Sequence, residues 1–178
     1  NSFKVVSALE AASDISEIIY AQGYETIEDR KNQELFDEAI DIASKADIAV
    51  VFVGLPEAFE SEGYDREHMR MPNCQNELIS SIAKVQKNTV VILHNGSPVE
   101  MPWADEVSAI LEAYLGGEGV GTAEVSLLFG DANPCGKLAE SFPLKLSDNP
   151  SYLFYHGNGK RTEYREGVFV GYRYYDSK

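Results

Sequence analysis

The chain has 178 residues, of which 44% are hydrophobic and 11% aromatic, and this length is sufficient for one domain with a substantial core. Its 29 acidic residues against 15 basic ones give a formal net charge of -14. A field of this sign repels nucleic acid and anionic membranes, so a neutral substrate is the easier fit.

The first part of the chain predicts helices and strands in alternation. Apolar residues at helical spacing predict a helix from Ser7 to about Asp14, and a short strand is predicted over Glu17–Ala21. Glu28–Lys45 has apolar residues on one face and charges on the other, which predicts an amphipathic helix. The run Ala46–Gly54 is the most apolar in the sequence and predicts a strand buried on both faces of a parallel sheet.

The alternation continues through the second part of the chain. Pro72 opens a predicted helix that runs to Val85, and the later elements are predicted at Asn88–His94 (strand), Ser108–Tyr114 (strand), Gly121–Phe129 (helix) and Lys137–Pro143 (strand). Strands that alternate with helices pair in parallel through right-handed crossovers. We therefore predict an α/β fold, a three-layer α/β/α sandwich with a mostly parallel sheet.

The domain organisation follows from a change in composition near residue 146. Residues 1–146 are predicted to form the sandwich, and residues 147–178 an irregular, extended C-terminal segment that packs on it or leads to a further domain. The chain starts at Asn1 without a start methionine, so we expect the natural amino terminus to lie upstream.

An acidic loop follows the most apolar strand and is the candidate functional segment. Gly54–Arg66 places five charged side chains within ten positions: Glu57, Glu60, Glu62, Asp65 and Arg66. In open α/β sheets ligands bind at the carboxyl ends of the strands, and Gly63 beside Glu62 would let the backbone approach a ligand closely. The residues favour a functional loop, and a solvated run of charge is the alternative.

Several other motifs favour structural roles. Gly116–Gly119 lacks the Lys-Ser/Thr ending of a phosphate loop, so a turn or packing role is favoured. His94, His68 and His156 have no nucleophile pattern nearby and are interpreted as structural or surface histidines rather than substrate contacts. Ser61 does not lie in Gly-x-Ser-x-Gly, so a hydrolase elbow is not supported.

The two cysteines do not indicate a metal site. Cys74 and Cys135 lie far apart, and neither belongs to a Cys-x-x-Cys or Cys-x-x-His pattern. Free thiols are favoured over a disulfide. No metal ion and no cofactor is expected.

Seven blocks of sequence carry a family resemblance through their order and spacing. They are Glu62–Arg66, Met71–Ile79, Asn88–Val99, Pro102–Trp103, Gly130–Leu138, Ser141–Pro143 and Gly167–Asp176. Together they resemble the C-terminal α/β sandwich domain of family 3 glycoside hydrolases, the β-glucosidase group. The resemblance covers nearly the whole chain.

The resemblance implies an active site shared between two domains. An aspartate nucleophile lies on a (β/α) barrel domain that normally precedes the sandwich, and the general acid/base is a glutamate on a loop of the sandwich. The position that matches is Glu62, and Glu60 is the second candidate because the loop varies in length across the family. The implied reaction is retaining hydrolysis of terminal β-D-glucosyl residues from a β-glucoside or oligosaccharide. Without the barrel domain, the chain alone is expected to be inactive.

The neighbours of Glu62 have expected supporting roles. Asp65 and Arg66 are expected to form an ion pair that fixes the loop, and Phe59 and Tyr64 to stack on a sugar or to pack against the partner domain. Two other functions stay open on the residues alone. A carbohydrate-binding module would need an exposed aromatic platform, for which Trp103 is the one tryptophan, and a flavodoxin-like ligand-binding domain also fits the alternation.

Overall fold

Three parallel strands form the sheet of this computed structural model, which describes residues 3–155, 157 and 159–176. The strands are β1 (Ala49–Gly54), β2 (Thr89–His94) and β3 (Ala109–Glu112), and they lie in the order β1-β2-β3. His156 lies outside the described residues.

Helices cover the sheet from two sides. Those of the described residues are α1 (Ala8–Ala12), α2 (Gln33–Lys45), α3 (Asn73–Val85), α4 (Val120–Leu128) and α5 (Tyr172–Tyr175). The core between the sheet and the pair α2 and α3 contains Phe36, Ile79, Val51, Val53, Val91 and Leu93. Because successive side chains of a strand point to opposite faces, His94 lies on the other face, where it meets Glu124 of α4. The predicted α/β/α sandwich with a parallel sheet is confirmed.

The two faces of β1 are buried to different extents. Val51 is 7% exposed on the face covered by α2 and α3, whereas its neighbour Val50 is 37% exposed on the other face. The prediction of a strand buried on both faces is therefore wrong for β1. In β2, at the centre of the sheet, Val91 and Ile92 are both fully buried.

Two predicted strands do not form. No strand of the described residues is hydrogen-bonded to Glu17–Ala21, and Ile19 and Tyr20 are exposed, so this segment lacks the neighbour that a strand needs. In the other segment, Lys137–Pro143, the backbone N–H of Ala139 donates to the hydroxyl of Tyr114 at 3.2 Å. A side chain thus takes the place of a neighbouring strand at that position.

Asparagine capping explains why α2 starts later than the apolar pattern predicts. The Asn32 side-chain oxygen accepts hydrogen bonds from the backbone N–H groups of Glu34 and Leu35, at 3.2 and 3.4 Å. This is the geometry of an N-cap, so the predicted start at Glu28 is wrong.

The residues just before α2 serve a different helix. Asp29 accepts hydrogen bonds from the N–H groups of Asn73 and Cys74, at 2.9 and 2.8 Å. Pro72, at the N-cap position of α3, supplies no side-chain hydrogen bond, so Asp29 caps this helix from a distant part of the sequence.

Replacement of Asp29 by alanine is expected to destabilise α3 by about 1 kcal/mol, the usual cost of a lost N-terminal cap. Burial opposes ionisation of Asp29, but the two N–H donors outweigh it and lower the pKa of this carboxyl from its ordinary 3.8. The stabilisation is therefore complete above pH 3.8 and is lost as the pH falls through the lowered value. Amide hydrogen exchange in α3 measures the change, and Asp29→Asn, which keeps one acceptor oxygen, is the matched control. Equal protection in Asp29→Ala and the unmodified protein would contradict the capping role.

Trp103 and Cys74 lie in the core, whereas Cys135 is exposed. Trp103 is fully buried, and its Nε1–H donates to Oδ1 of Asn76 at 2.8 Å, so it cannot serve as an exposed platform for sugars. Both cysteines are free thiols, as predicted. Burial raises the pKa of the Cys74 thiol to about 11. Among the described helices, none has both the length and the apolar character needed to cross a bilayer.

The predicted boundary near residue 146 lies next to a short turn of 3-10 helix, Leu146–Asp148. The backbone N–H of Leu146 lies 3.4 Å from a carboxylate oxygen of Glu100, and Phe142 packs against the core. Beyond this turn the described chain is irregular until α5. The division into residues 1–146 and 147–178 stays a prediction.

Candidate active site

The loop after β1 is closed by its own hydrogen bonds. The N–H groups of Phe59 and Glu60 both donate to the carbonyl of Pro56, at 2.7 and 3.1 Å. Further along, the Tyr64 hydroxyl donates to the carbonyl of Glu57 at 2.9 Å. These bonds fold the acidic loop into successive turns at the carboxyl end of β1.

Glu62 projects from this loop as an exposed carboxylate. Within the described residues its side chain has no hydrogen bond or ion pair. The following residue, Gly63, has a φ of 99°, a conformation that side chains with a Cβ rarely adopt. The turn thus presents Glu62 beyond the carboxyl end of β1, with neither oxygen bonded to any residue that the structure describes.

Glu60 has the opposite character. One of its oxygens accepts from the N–H of Gly96 at 2.6 Å, and the other accepts from the hydroxyl of Ser97 at 2.5 Å. The second oxygen also lies 3.8 Å from Nη1 of Arg66. In the part of the chain that the structure describes, the two candidate glutamates therefore differ, because Glu60 is held at both oxygens and Glu62 at neither.

The predicted ion pair between Asp65 and Arg66 is wrong. Arg66 pairs with Glu60, and its Nη1 donates to the Ser97 hydroxyl at 2.7 Å and to the Pro98 carbonyl at 3.3 Å. Asp65 is exposed and makes no ion pair in the described part of the chain. Neighbours in sequence point in different directions here because the guanidinium turns inward to Ser97 and Pro98, which follow β2.

The two aromatic residues of the loop differ in availability. The ring of Phe59 is partly buried and meets the ring of His68 edge-on, with 6.1 Å between centroids. Tyr64 is 49% exposed, and its ring remains open to solvent although its hydroxyl is bonded. Tyr64 is therefore the better placed of the two for contact with a sugar or another domain.

A second loop, Asn95–Pro98, lies beside the acidic loop, and the sequence did not predict it as part of the site. Asn95 is fully buried, and its amide donates to the carbonyl of Ser97 at 2.9 Å and to a carboxylate oxygen of Glu112 at 3.3 Å. Burial raises the pKa of the Glu112 carboxyl, against the opposing effect of the bonds from Tyr114 and Asn95. The position of this loop after β2, the strand next to β1, is the signal that could have found it.

His94 forms part of the packing of α4, in line with its structural interpretation. Its Nε2 lies 3.0 Å from Oε1 of Glu124, although the pair is not aligned as a hydrogen bond, and its ring stacks on Phe52 at 6.3 Å. Burial raises the pKa of Glu124, and the charge of protonated His94 would oppose that shift.

Replacement of Glu124 by glutamine is expected to leave the protein at least as stable at pH 7. Because burial raises the pKa of Glu124 above its ordinary 4.5, the folded state retains its proton to higher pH, and stability falls as the pH rises from 4.5 through the raised value. The glutamine variant lacks this dependence. Urea unfolding at pH 4.5 and 7 checks it, with the exposed Glu106→Gln as control. If Glu124→Gln were clearly less stable than the parent at pH 7 but not at pH 4.5, the negative charge of Glu124 would be stabilising, which would contradict this prediction.

The described residues contain no group of three or more His, Cys, Asp or Glu side chains arranged to hold a metal ion. Among the described residues, Glu62 is an exposed carboxylate without a partner, and the loop around it is held by hydrogen bonds. Such a group can donate and accept a proton at the rim of the sheet.

Comparisons with a family profile and with curated proteins indicate the same family for this chain. The sequence profile of the glycosyl hydrolase family 3 C-terminal domain matches residues 4–172. Thermostable beta-glucosidase B of Acetivibrio thermocellus is 56% identical over 169 residues, which cover 95% of this chain and 22% of the relative. Probable beta-glucosidase I of Aspergillus flavus is 46% identical over 144 residues, 81% of this chain and 17% of the relative.

Solved structures agree in fold. A family 3 beta-glucosidase from Bifidobacterium adolescentis superposes with a TM-score of 0.90 at 41% identity, over 98% of this chain and 26% of that one. A beta-glucosidase from Kluyveromyces marxianus in complex with glucose gives a TM-score of 0.75 at 42% identity, over 83% of this chain and 18% of that one. The chain thus spans about a quarter or less of the length of these relatives.

Proposed function

The chain belongs to glycosyl hydrolase family 3, as its C-terminal domain, and on that premise we propose that Glu62 is the general acid and base of a retaining β-glucosidase. The observation that carries the proposal is the contrast between the two glutamates of the loop. Glu60 is bonded through both oxygens to Gly96 and Ser97 of the second loop, whereas Glu62 is exposed and unpaired among the described residues. A residue that transfers protons to and from a substrate must be exposed and unpaired, as Glu62 is, since its oxygens must reach the substrate.

The proposed mechanism requires a second carboxylate from another part of the protein. In retaining hydrolysis, a nucleophilic carboxylate attacks the anomeric carbon while the general acid protonates the departing glycosidic oxygen. The same residue then removes a proton from water, which displaces the enzyme carboxylate, with the two carboxyl groups about 5 to 5.5 Å apart. Glu62 would perform the two proton transfers, and an aspartate of a preceding barrel domain would be the nucleophile.

The length of the relatives supports a second domain. The chain makes up 22% of the Acetivibrio thermocellus protein and 26% of the Bifidobacterium adolescentis structure. Those relatives therefore contain several hundred further residues in which a nucleophile can lie. The proposed substrate is a β-glucoside or oligosaccharide with a terminal β-D-glucosyl residue, and the exposed ring of Tyr64 is the proposed contact for the sugar or aglycone that leaves.

The test uses the complete protein, meaning this chain joined to its proposed barrel domain. We expect it to hydrolyse 4-nitrophenyl β-D-glucoside and to release β-glucose first, as seen by proton NMR before mutarotation. The 178-residue chain alone is expected to show no turnover above buffer. Release of α-glucose first, or turnover by the isolated chain, would contradict the proposal.

A further inference from the structure

The two ends of the segment that contains Glu62 meet at one side chain. The Ser97 hydroxyl donates to Glu60 at 2.5 Å and accepts from Nη1 of Arg66 at 2.7 Å. Glu60 and Arg66 are the first and last residues of a seven-residue segment with Glu62 inside it. Ser97 of the second loop bonds both of these end residues. A segment closed at both ends samples far fewer conformations than an open one.

We propose that Glu60, Arg66 and Ser97 form a latch that positions Glu62 for proton transfer, so that Glu60 is a positioning residue and not the acid/base. The inference rests on the proposed function of Glu62. The latch joins the loop after β1 to the loop after β2, and its members act on the reaction only through the place they give to Glu62.

The latch is built around the charge of Glu60. Its carboxylate takes two short hydrogen bonds and lies 3.8 Å from the Arg66 guanidinium, with side chains only 22% and 13% exposed. Nε and Nη2 of Arg66 are buried without a hydrogen-bond partner in the described chain. Arg66 therefore contacts Ser97 and Glu60 through Nη1 alone. Charge-assisted bonds of this kind are stronger than neutral ones, which suits them to hold a loop.

Gly96 lets the carboxylate come close. A Cβ at this position would lie 3.1 Å from a Glu60 oxygen, tighter than ordinary contact. The glycine therefore permits the 2.6 Å bond between its own N–H and Glu60.

The latch is anchored to the sheet through Asn95. The buried Asn95 amide bonds both the Ser97 carbonyl and Glu112 at the end of β3. The carboxyl ends of β1, β2 and β3 are thus connected in one hydrogen-bonded chain. A catalytic group supported in this way keeps its geometry within the tolerance that proton transfer needs.

The test compares Glu60→Ala, Glu60→Gln, Glu62→Ala, Glu62→Gln and the Glu60→Ala/Glu62→Ala double variant in the complete protein, with kcat/KM for phenyl β-D-glucoside as readout. Displacement of a reacting group by about 1 Å costs on the order of 100-fold, so we expect Glu60→Ala to lose roughly 10- to 100-fold. Glutamine can still bond Gly96 and Ser97 but cannot transfer the proton, so Glu60→Gln is expected to recover to within about fivefold of the parent while Glu62→Gln stays as impaired as Glu62→Ala. In the absence of Glu62 the Glu60→Ala change is expected to have no further effect.

The outcomes separate the latch from the proposed function. If Glu60→Ala stays within twofold of the parent, or if the two losses multiply in the double variant, the latch is wrong while the large loss in Glu62→Gln upholds the acid/base assignment. If Glu60→Gln is as inactive as Glu60→Ala and Glu62→Gln is nearly active, Glu60 is the acid/base and both proposals fail.

A second variant covers the case in which Glu60→Ala does not fold. Ser97→Ala removes the hydroxyl that bridges Glu60 and Arg66 but keeps the bonds of Glu60 to Gly96 and of Arg66 to Pro98. Ser97→Thr keeps the hydroxyl. A loss of roughly tenfold in Ser97→Ala that Ser97→Thr does not share supports the latch. Equal activity of the two variants would overturn it.

Discussion

Replacement of Glu62 by glutamine in the complete protein is expected to lower kcat/KM for phenyl β-D-glucoside by about 100- to 10,000-fold, the usual contribution of general acid–base catalysis. Phenoxide is a poor leaving group, so its departure depends on the proton that Glu62 supplies. Glutamine has nearly the same size as glutamate but cannot donate that proton. Because Glu62 is exposed, its replacement is not expected to unfold the protein, so the loss of activity reports on the proton transfer.

Two comparisons make the Glu62 result specific. With 2,4-dinitrophenyl β-D-glucoside, whose leaving group needs no protonation, the loss in kcat/KM is expected to be much smaller. Glu67→Gln changes another exposed acid close to the same loop and is expected to keep the parent activity. A loss below tenfold with the phenyl substrate would contradict the role of Glu62.

Replacement of Trp103 by alanine is expected to cost about 3 to 5 kcal/mol of stability, the range for large aromatic residues removed from a core. Trp103 is fully buried in the cluster that also contains Phe36 and Ile79. Its indole N–H is bonded to Asn76 on α3, and the variant leaves that acceptor without its partner. The loss therefore combines a cavity with a broken hydrogen bond.

Amide hydrogen exchange of β2 measures this loss within the complete protein, because its most protected amides exchange through opening of the whole domain. At 1.4 kcal/mol per tenfold, protection is expected to fall by roughly two to three and a half orders of magnitude. Trp103→Phe keeps most of the apolar volume and is expected to lose less than half as much. If protection in Trp103→Ala fell by less than tenfold, the account of this part of the core would be wrong.

The sheet was predictable where local pattern and tertiary environment agree. The apolar runs at β1 and β2 predicted parallel strands, and both form. The pattern at Glu17–Ala21 was equally suitable for a strand, but a strand also needs a neighbour, and no described strand lies beside it. Strand propensity is local, whereas strand formation depends on what lies next to the segment.

The position of the candidate site was predictable, but its internal contacts were not. The acidic loop follows a buried strand, and its family pattern pointed to Glu62. The bonds from Glu60 to Gly96 and Ser97 join residues 36 and 37 positions apart, and no local pattern encodes them. Arg66 was assigned to its sequence neighbour Asp65 for the same reason, whereas its partner lies across the loop.

The burial of Glu124 could not be predicted from the sequence pattern. A glutamate in a helix is usually on the solvent face, yet Glu124 is 4% exposed and packs against His94 at the end of β2. Only the docking of α4 against the sheet brings these two side chains together.

The most direct measurement of the central claim is azide rescue of Glu62→Ala in the complete protein. Azide attacks the anomeric carbon of the glycosyl-enzyme intermediate and displaces the enzyme carboxylate, and as an anion it needs no base to remove a proton. If Glu62 is the acid/base, azide speeds turnover of 2,4-dinitrophenyl β-D-glucoside by this variant and β-glucosyl azide accumulates, while the unmodified protein forms none. Unchanged turnover with no glycosyl azide would contradict the claim.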